Sequence, residues 1–326
     1  MELIQINSPM SLIIPESEVI KTTNRNFIEA NTQSVSLSHL KRDCTIPVFS
    51  KDNECTIAHH QFIEATRECA IEVFGGHNIL MPEVRVSHTV KGRVPSAIGK
   101  PAKELYDEEK TIYYERMMFA IEIPSITQNI NGNDLSLMIG GVRAYNQENL
   151  YSKKSVEKFK VFIGFQNRVC CNLCISTDGY KSDIRITSVE ELKKQVFELI
   201  NSYDREAHLT MMKQLSNYKL TEKQFAQFIG KLRLYNYLPK NEKANVAPML
   251  LNDGQINAVA RDYYQDENFC RDSNGDISLW NLYNLFTGSN KSSYIDTFLD
   301  RSANATEVMY QLTQALSHKT NLWYVT

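Results

Sequence analysis

The stretch FKVFIGFQNRVCCNLCIS, residues 159–176, alternates on both sides of a polar centre. Phe159, Val161, Ile163 and Phe165 hold the odd positions of its first half, and Val169, Cys171, Leu173 and Ile175 those of its second. A strand sends successive side chains to opposite faces, so each half reads as a strand with one buried face. Gln166, Asn167 and Arg168 between them predict a short hairpin turn. A hairpin is antiparallel, and that sets the kind of sheet the flanking segments must join.

Outward from this hairpin, residues 84–90, 116–123, 135–142 and 183–187 also read as strands. Before them, His59, Phe62, Ile63, Thr66, Cys69, Ala70, Val73 and Phe74 make one helical stripe that Gly75-Gly76 ends. After Ser188 the period becomes helical. Leu192, Val196, Leu199, Tyr203 and Ala207 predict one long helix to about residue 218, and Thr221 with Gln224 forms a capping box for the next. Further helices are expected near 253–265, 278–287 and 293–317.

Strands first and helices afterwards specify an α+β fold: a largely antiparallel sheet of five or six strands, then a helical C-terminal half. The expected division is an extended or weakly ordered arm over 1–45, a helix-plus-sheet region over 46–188, and a helical region over 189–326 packed on the sheet as one unit. No repeat of solenoid length interrupts this order.

With 326 residues and 42% hydrophobic content the chain can bury a sizeable core. Its 36 basic and 38 acidic side chains give a net charge of -2, so a polyanion would be drawn only to a local basic patch. The N-terminus has no basic run ahead of an apolar core, and no apolar run approaches the length needed to span a bilayer. A cytoplasmic protein without a membrane partner is expected, its seven cysteines reduced.

TGSNKSSYID, residues 287–296, looks at first like a phosphate loop. A Walker loop needs glycine immediately before its lysine and again five residues earlier, and those places hold Asn290 and Leu285. Ser293 and Asp296 instead fit a capping box that starts the last helix. Asn290, Lys291 and Ser292 stay candidates for holding a phosphate at that helix N-terminus. In VCCNLC, Cys171 and Cys174 have zinc-knuckle spacing without a second pair, and DSNGDIS from Asp272 lacks the closing glutamate of a calcium loop. Neither metal nor cofactor is expected, and the common hydrolase and dinucleotide signatures are missing.

The most informative segment is VRVSHTVKGRVPSAIGKPAK, residues 84–103, which contains no acid. Alternation puts Arg85, Ser87, Thr89 and Lys91 on one face and Val84, Val86, His88 and Val90 on the other, so His88 reads as a core histidine. Arg93, Lys100 and Lys103 follow. Cations interleaved with hydroxyls suit contacts to a phosphate backbone. Arg116, Lys160, Arg168 and Asn172 on neighbouring strands extend the same expected face, with Tyr113, Tyr114 and Tyr145 to stack bases. A solvated sheet face with a flexible basic loop is the plainer alternative.

KTIYYERMMFAIEIPS, IGGVRAYNQENLY, FKVFIGFQNRVCCNLCISTDG, LTEKQFAQFIGKLRLYNYLP and LWNLYNLFTGSNKSSYIDTFLDRSANA together resemble an uncharacterised Bacteroidetes family, domain of unknown function 3871, over most of the chain beyond the arm. More distantly, the family is similar to the phage/plasmid-like domain of unknown function 932. Arg168, Val169, Cys170 and Asn172 match its basic-Val-Cys-x-Asn strand, and Trp280, Asn284 and Thr287 its Trp-x3-Asn-x2-Thr helix. The resemblance carries over no catalytic residue; it implies a mobile-element setting.

The resulting expectation is a mobile-element accessory protein that binds nucleic acid, single-stranded DNA above all, without catalysis. One rival is an enzyme that holds a phosphate with Asn290 and Lys291 and uses Glu115, Glu122 or Asp178 as acid, base or metal ligand. Another is a protein-interaction or anti-defence protein. Oligomeric state is left open.

Overall fold

The computed structural model describes residues 26–44, 57–97, 99–148 and 156–325. Residues 1–25 of the expected arm lie outside them. Its described remainder is built into the fold: Phe27 and Ile28 are buried, Gln33–Val35 forms strand β1, and Leu37–Arg42 forms α1. Then come α2 (His59–Phe74), β2 (Glu83–Val86), β3 (Thr89–Arg93), β4 (Lys110–Tyr114), β5 (Arg116–Ile130), β6 (Asn133–Ala144), β7 (Glu157–Asn167), β8 (Leu173–Cys174) and β9 (Tyr180–Ile186). The helical half comprises α3 (Val189–Ser202), α4 (Arg205–Gln214), α5 (Glu222–Tyr235), α6 (Lys240–Lys243), α7 (Asp253–Gln265), α8 (Leu279–Asn290) and α9 (Ile295–His318). A short antiparallel pair, β10 (Lys219–Leu220) with β11 (Ile277–Ser278), ties α5 to α8.

The chain is α+β. Its sheet runs β1-β2-β5-β6-β7, all antiparallel, with β8 and β9 both pairing with β7. Asn131 and Gly132, both at positive φ, make the tight turn that joins the two longest strands, β5 and β6. As the alternation predicts, Phe159, Val161, Ile163 and Phe165 share one buried face, packed with α2, α3 and the helices beyond.

The opposite face is not solvated, contrary to the pattern's simplest reading. Met118, Ala120, Met138, Val142 and Phe162 on that face are covered by Ile295, Phe298 and Leu299 of α9 and by Phe27 and Ile28. Among the described residues no helix is long and apolar enough to cross a membrane.

Three of the boundaries that differ from expectation do so where a polar residue intervenes. The hairpin after β7 is wider than the expected turn. The Asn167 side chain accepts from the N–H of Val169 and its backbone carbonyl from the N–H of Cys171, Cys171 takes a positive φ, and Val169 is turned out to solvent. The long helix expected from residue 189 to 218 breaks at Tyr203-Asp204, where Asp204 accepts from the N–H of Ala207 and caps α4. Ser293 does not cap the last helix. Its hydroxyl donates to Asn290 Oδ1 and receives Gln255 and Arg301, and α9 begins after Tyr294 without a side-chain cap.

Two buried histidines bring a pH dependence. His59 bonds the carbonyl of Tyr114 and stacks on Tyr145, while His208 meets Tyr203 Oη at 2.8 Å. Burial, aided at His59 by the charge of Arg143, lowers their pKa values to about 3 and about 4. The unfolded chain therefore binds protons at these sites before the folded chain does. Stability rises with pH across this window and is lost as pH falls from about 6.5 towards 4. The urea midpoint is expected to be lower at about pH 5 than at about pH 7, with a shallower dependence in His208→Phe. Equal slopes in the two proteins would exclude His208 as a source.

Candidate functional site

Residues 83–93 and 110–130 are each nearly continuous extended chain, and they bend at matching places. Ser87-His88 separates β2 from β3, and Glu115 separates β4 from β5. Beyond the bend, β3 and β4 pair with each other and leave the sheet as a ribbon, with one isolated bridge from Cys44 to Ile112 of β4. Two hydrogen bonds hold the bend: Ser87 N–H donates to the Arg116 carbonyl at 2.9 Å, and Arg116 N–H donates to Ser87 Oγ at 3.2 Å. The single strand expected over residues 84–90 is thus two strands, and His88, expected in the core, is exposed at the corner.

A cleft of about 440 Å³ opens there. One wall is the bend, with Ser87, His88 and Arg116; the other is the segment around Thr32 and the first turn of α9, with Tyr294 and Asp296. Arg85 builds the far wall and does not reach out to a ligand. Its guanidinium bonds Thr32 Oγ1 and the Thr32 carbonyl at 2.9–3.1 Å, and burial lowers its pKa. Lys160 fixes the helix by donating to the Asp296 carbonyl and to Asp300, both within 2.7 Å.

Arg116 is the group left with unspent capacity. Its Nε lies 3.9 Å from Asp296 Oδ2 and a terminal nitrogen lies 3.8 Å from Glu115, distances too long for hydrogen bonds. Its guanidinium carbon stands 5.7 Å from the ring of Tyr294, which is 64% exposed. Arg116 Nε and Asp296 Oδ1 are both buried without a hydrogen-bond partner. Such atoms are uncommon in native folds. Of the eight among the described residues, these two share one cleft.

The pairing register places Arg85, Arg116, Glu122 and Lys160 on one sheet face. Because α9 crosses that face, it is no open track; parts of it stay accessible at the cleft and around Lys158 and Lys160. On the ribbon, Thr89 and Lys91 are exposed. Arg93 donates to the carbonyl of Lys100, whose ammonium pairs with Glu109, while Lys103 is exposed. The acids at 107–109 thus answer part of the acid-free run that precedes them.

Arg168 pairs with Glu122 at 3.0 Å midway along β5, and Asn172 is buried, donating to the Asn284 carbonyl. Asn290 and Lys291 end α8 and do not begin α9. Asn290 spans to the Phe298 carbonyl and Ser302, and Lys291 is buried with its ammonium on the Cys170 carbonyl. Ser292 bonds the Ser289 carbonyl within the same turn. TGSNKSS is therefore a helix joint, and its apparent phosphate donors are occupied.

Asp178 receives the Asp204 N–H and Glu122 holds Arg168, so these carboxylates serve separate partners. Tyr114 and Tyr145, expected to stack bases, are buried; Tyr294 is the exposed aromatic at the site. Among the described residues no group of three His, Cys, Asp or Glu side chains could hold a metal ion.

Fold and site together define an α+β protein whose antiparallel sheet is covered by helices on both faces, with an arginine–tyrosine cleft where a ribbon leaves the sheet. The chain belongs to the family described as "Domain of unknown function, B. Theta Gene description (DUF3871)", whose model matches residues 10–325. No curated protein and no solved structure gives a significant match to it.

Proposed function

We propose that this is a non-enzymatic, cytoplasmic single-stranded nucleic-acid binding protein, an accessory of a mobile element, that takes one nucleotide into the cleft beside the β3–β4 ribbon. The observation that carries this reading is the pairing of an incompletely satisfied Arg116 with the exposed ring of Tyr294 in one cavity. Single strands are held by cationic grooves that follow the backbone and by aromatic rings on which unstacked bases lie. Thr89 and Lys91 continue outward from His88 along the ribbon, where the next phosphates would run.

Fluorescence anisotropy with labelled single-stranded and duplex DNA across a salt series tests this. The wild type is expected to bind single strands with an affinity that falls steeply with salt. Tyr294→Ala should remove about 1–3 kcal/mol, a stacking contribution. Lys91→Ala should lower the salt slope by about one and weaken all sequences alike. Absence of binding by the wild type at low salt, or affinities indifferent to Tyr294 and Arg116, would overturn the reading.

A further inference from the structure

We infer that the cleft selects guanine, an inference that rests on the single-strand reading and adds to it a base preference. The carrying observation is the pair of orphaned groups. Arg116 Nε is a buried donor and Asp296 Oδ1 a buried acceptor, each without a partner, and Asp296 Oδ2 stands 3.9 Å from that same Nε. The wall therefore offers one donor beside two carboxylate acceptors. Asp296 is held for this role, since its own carbonyl is bound by Lys160 and its helix is pinned through Asp300 to Lys160 and Tyr180.

Unstacked bases in single strands are read along their Watson–Crick edges. Guanine presents there an acceptor, O6, followed by two donors, N1–H and the N2 amino group. That is the complement of Arg116 Nε–H followed by the two oxygens of Asp296. Adenine, cytosine and thymine each offer a single donor position on this edge, beside one acceptor in adenine and two in cytosine and thymine, so each leaves one carboxylate oxygen unanswered. Tyr294 at the mouth supplies the stacking surface that any base can use, and the carboxylate supplies the discrimination.

The test uses the full chain and short oligothymidylate strands carrying one central dG, dA, dC or inosine, with anisotropy as the readout. The dG strand is expected to bind about tenfold tighter than the dA, dC and all-thymidine strands, the value of one charge-assisted hydrogen bond. Inosine, which lacks the amino group, should fall between them. Asp296→Asn, nearly isosteric and checked for an unchanged melting temperature, should abolish the difference in affinity between the dG strand and the all-thymidine strand. Equal affinity of the wild type for every strand would overturn the guanine preference and leave the single-strand reading intact. A preference that survives Asp296→Asn would also overturn it, whereas absence of binding to any strand would remove both.

Discussion

Arg143→Met is expected to destabilise the fold by about 3–5 kcal/mol, because it strips the partner from a buried carboxylate. Arg143 lies in the middle of the protein with no exposed surface. It donates to Glu157 at 2.6 Å, to Glu148 at 3.2 Å and to the carbonyl of Ile57, and its guanidinium lies 4.6 Å and 4.5 Å from the rings of Tyr145 and Phe159. Glu157 also receives the N–H of Ile57 at 3.1 Å. The site thus ties β6 and β7 to the residues that lead into α2.

The loss carries a pH signature. Burial raises the pKa of Glu157, and Arg143 is the largest opposing influence. Removing the arginine raises it further. A carboxyl that holds its proton more tightly folded than unfolded makes the folded state lose stability as pH rises through its titration. The deficit of Arg143→Met should therefore be smaller at about pH 5 than at about pH 7. Urea titrations of both proteins at the two values decide it, and a deficit below about 1 kcal/mol at neutral pH would refute the buried-pair account.

Phe62→Ala should cost a similar amount, about 3–5 kcal/mol, by leaving a cavity at the contact between α2 and the sheet. Phe62 is fully buried, with edge contacts to Phe119 at 5.0 Å and Phe159 at 4.9 Å. Its ring lies directly on Gly141, where an added Cβ would stand 2.4 Å from Cζ. Glycine there lets the helix approach the strand backbone, so the neighbours have little freedom to collapse into the space left by the ring. Phe62→Leu should retain much of the stability. If the alanine variant melted like the wild type, α2 and the sheet would not be close-packed at this point.

Much of the frame was legible because it depends on neighbours in sequence. Alternation at 159–165 located β7 and its buried face, the Thr221/Gln224 capping box started α5, and the helix expected over 253–265 is α7. One local signal went unused: Asn131-Gly132, whose positive φ values close the hairpin between β5 and β6. The break at Ser87-His88 had no comparable signal, since the alternation runs through it undisturbed and only pairing with two different partners reveals the bend.

The site divides the same way. Ser87 and Arg116 were named from residue type and spacing, but so were Arg168, Asn172, Asn290 and Lys291, which the fold commits to internal partners. Tyr294 and Asp296 join Arg116 only because α9 crosses a sheet face formed far earlier in the chain. Sequence by itself determined the strand and helix periods, the α+β order and the family, because these depend on how each residue relates to those a few places away. Tertiary structure alone decided which cations are consumed and which polar atoms go unpaired, because burial and hydrogen bonding depend on the whole three-dimensional surroundings of a group.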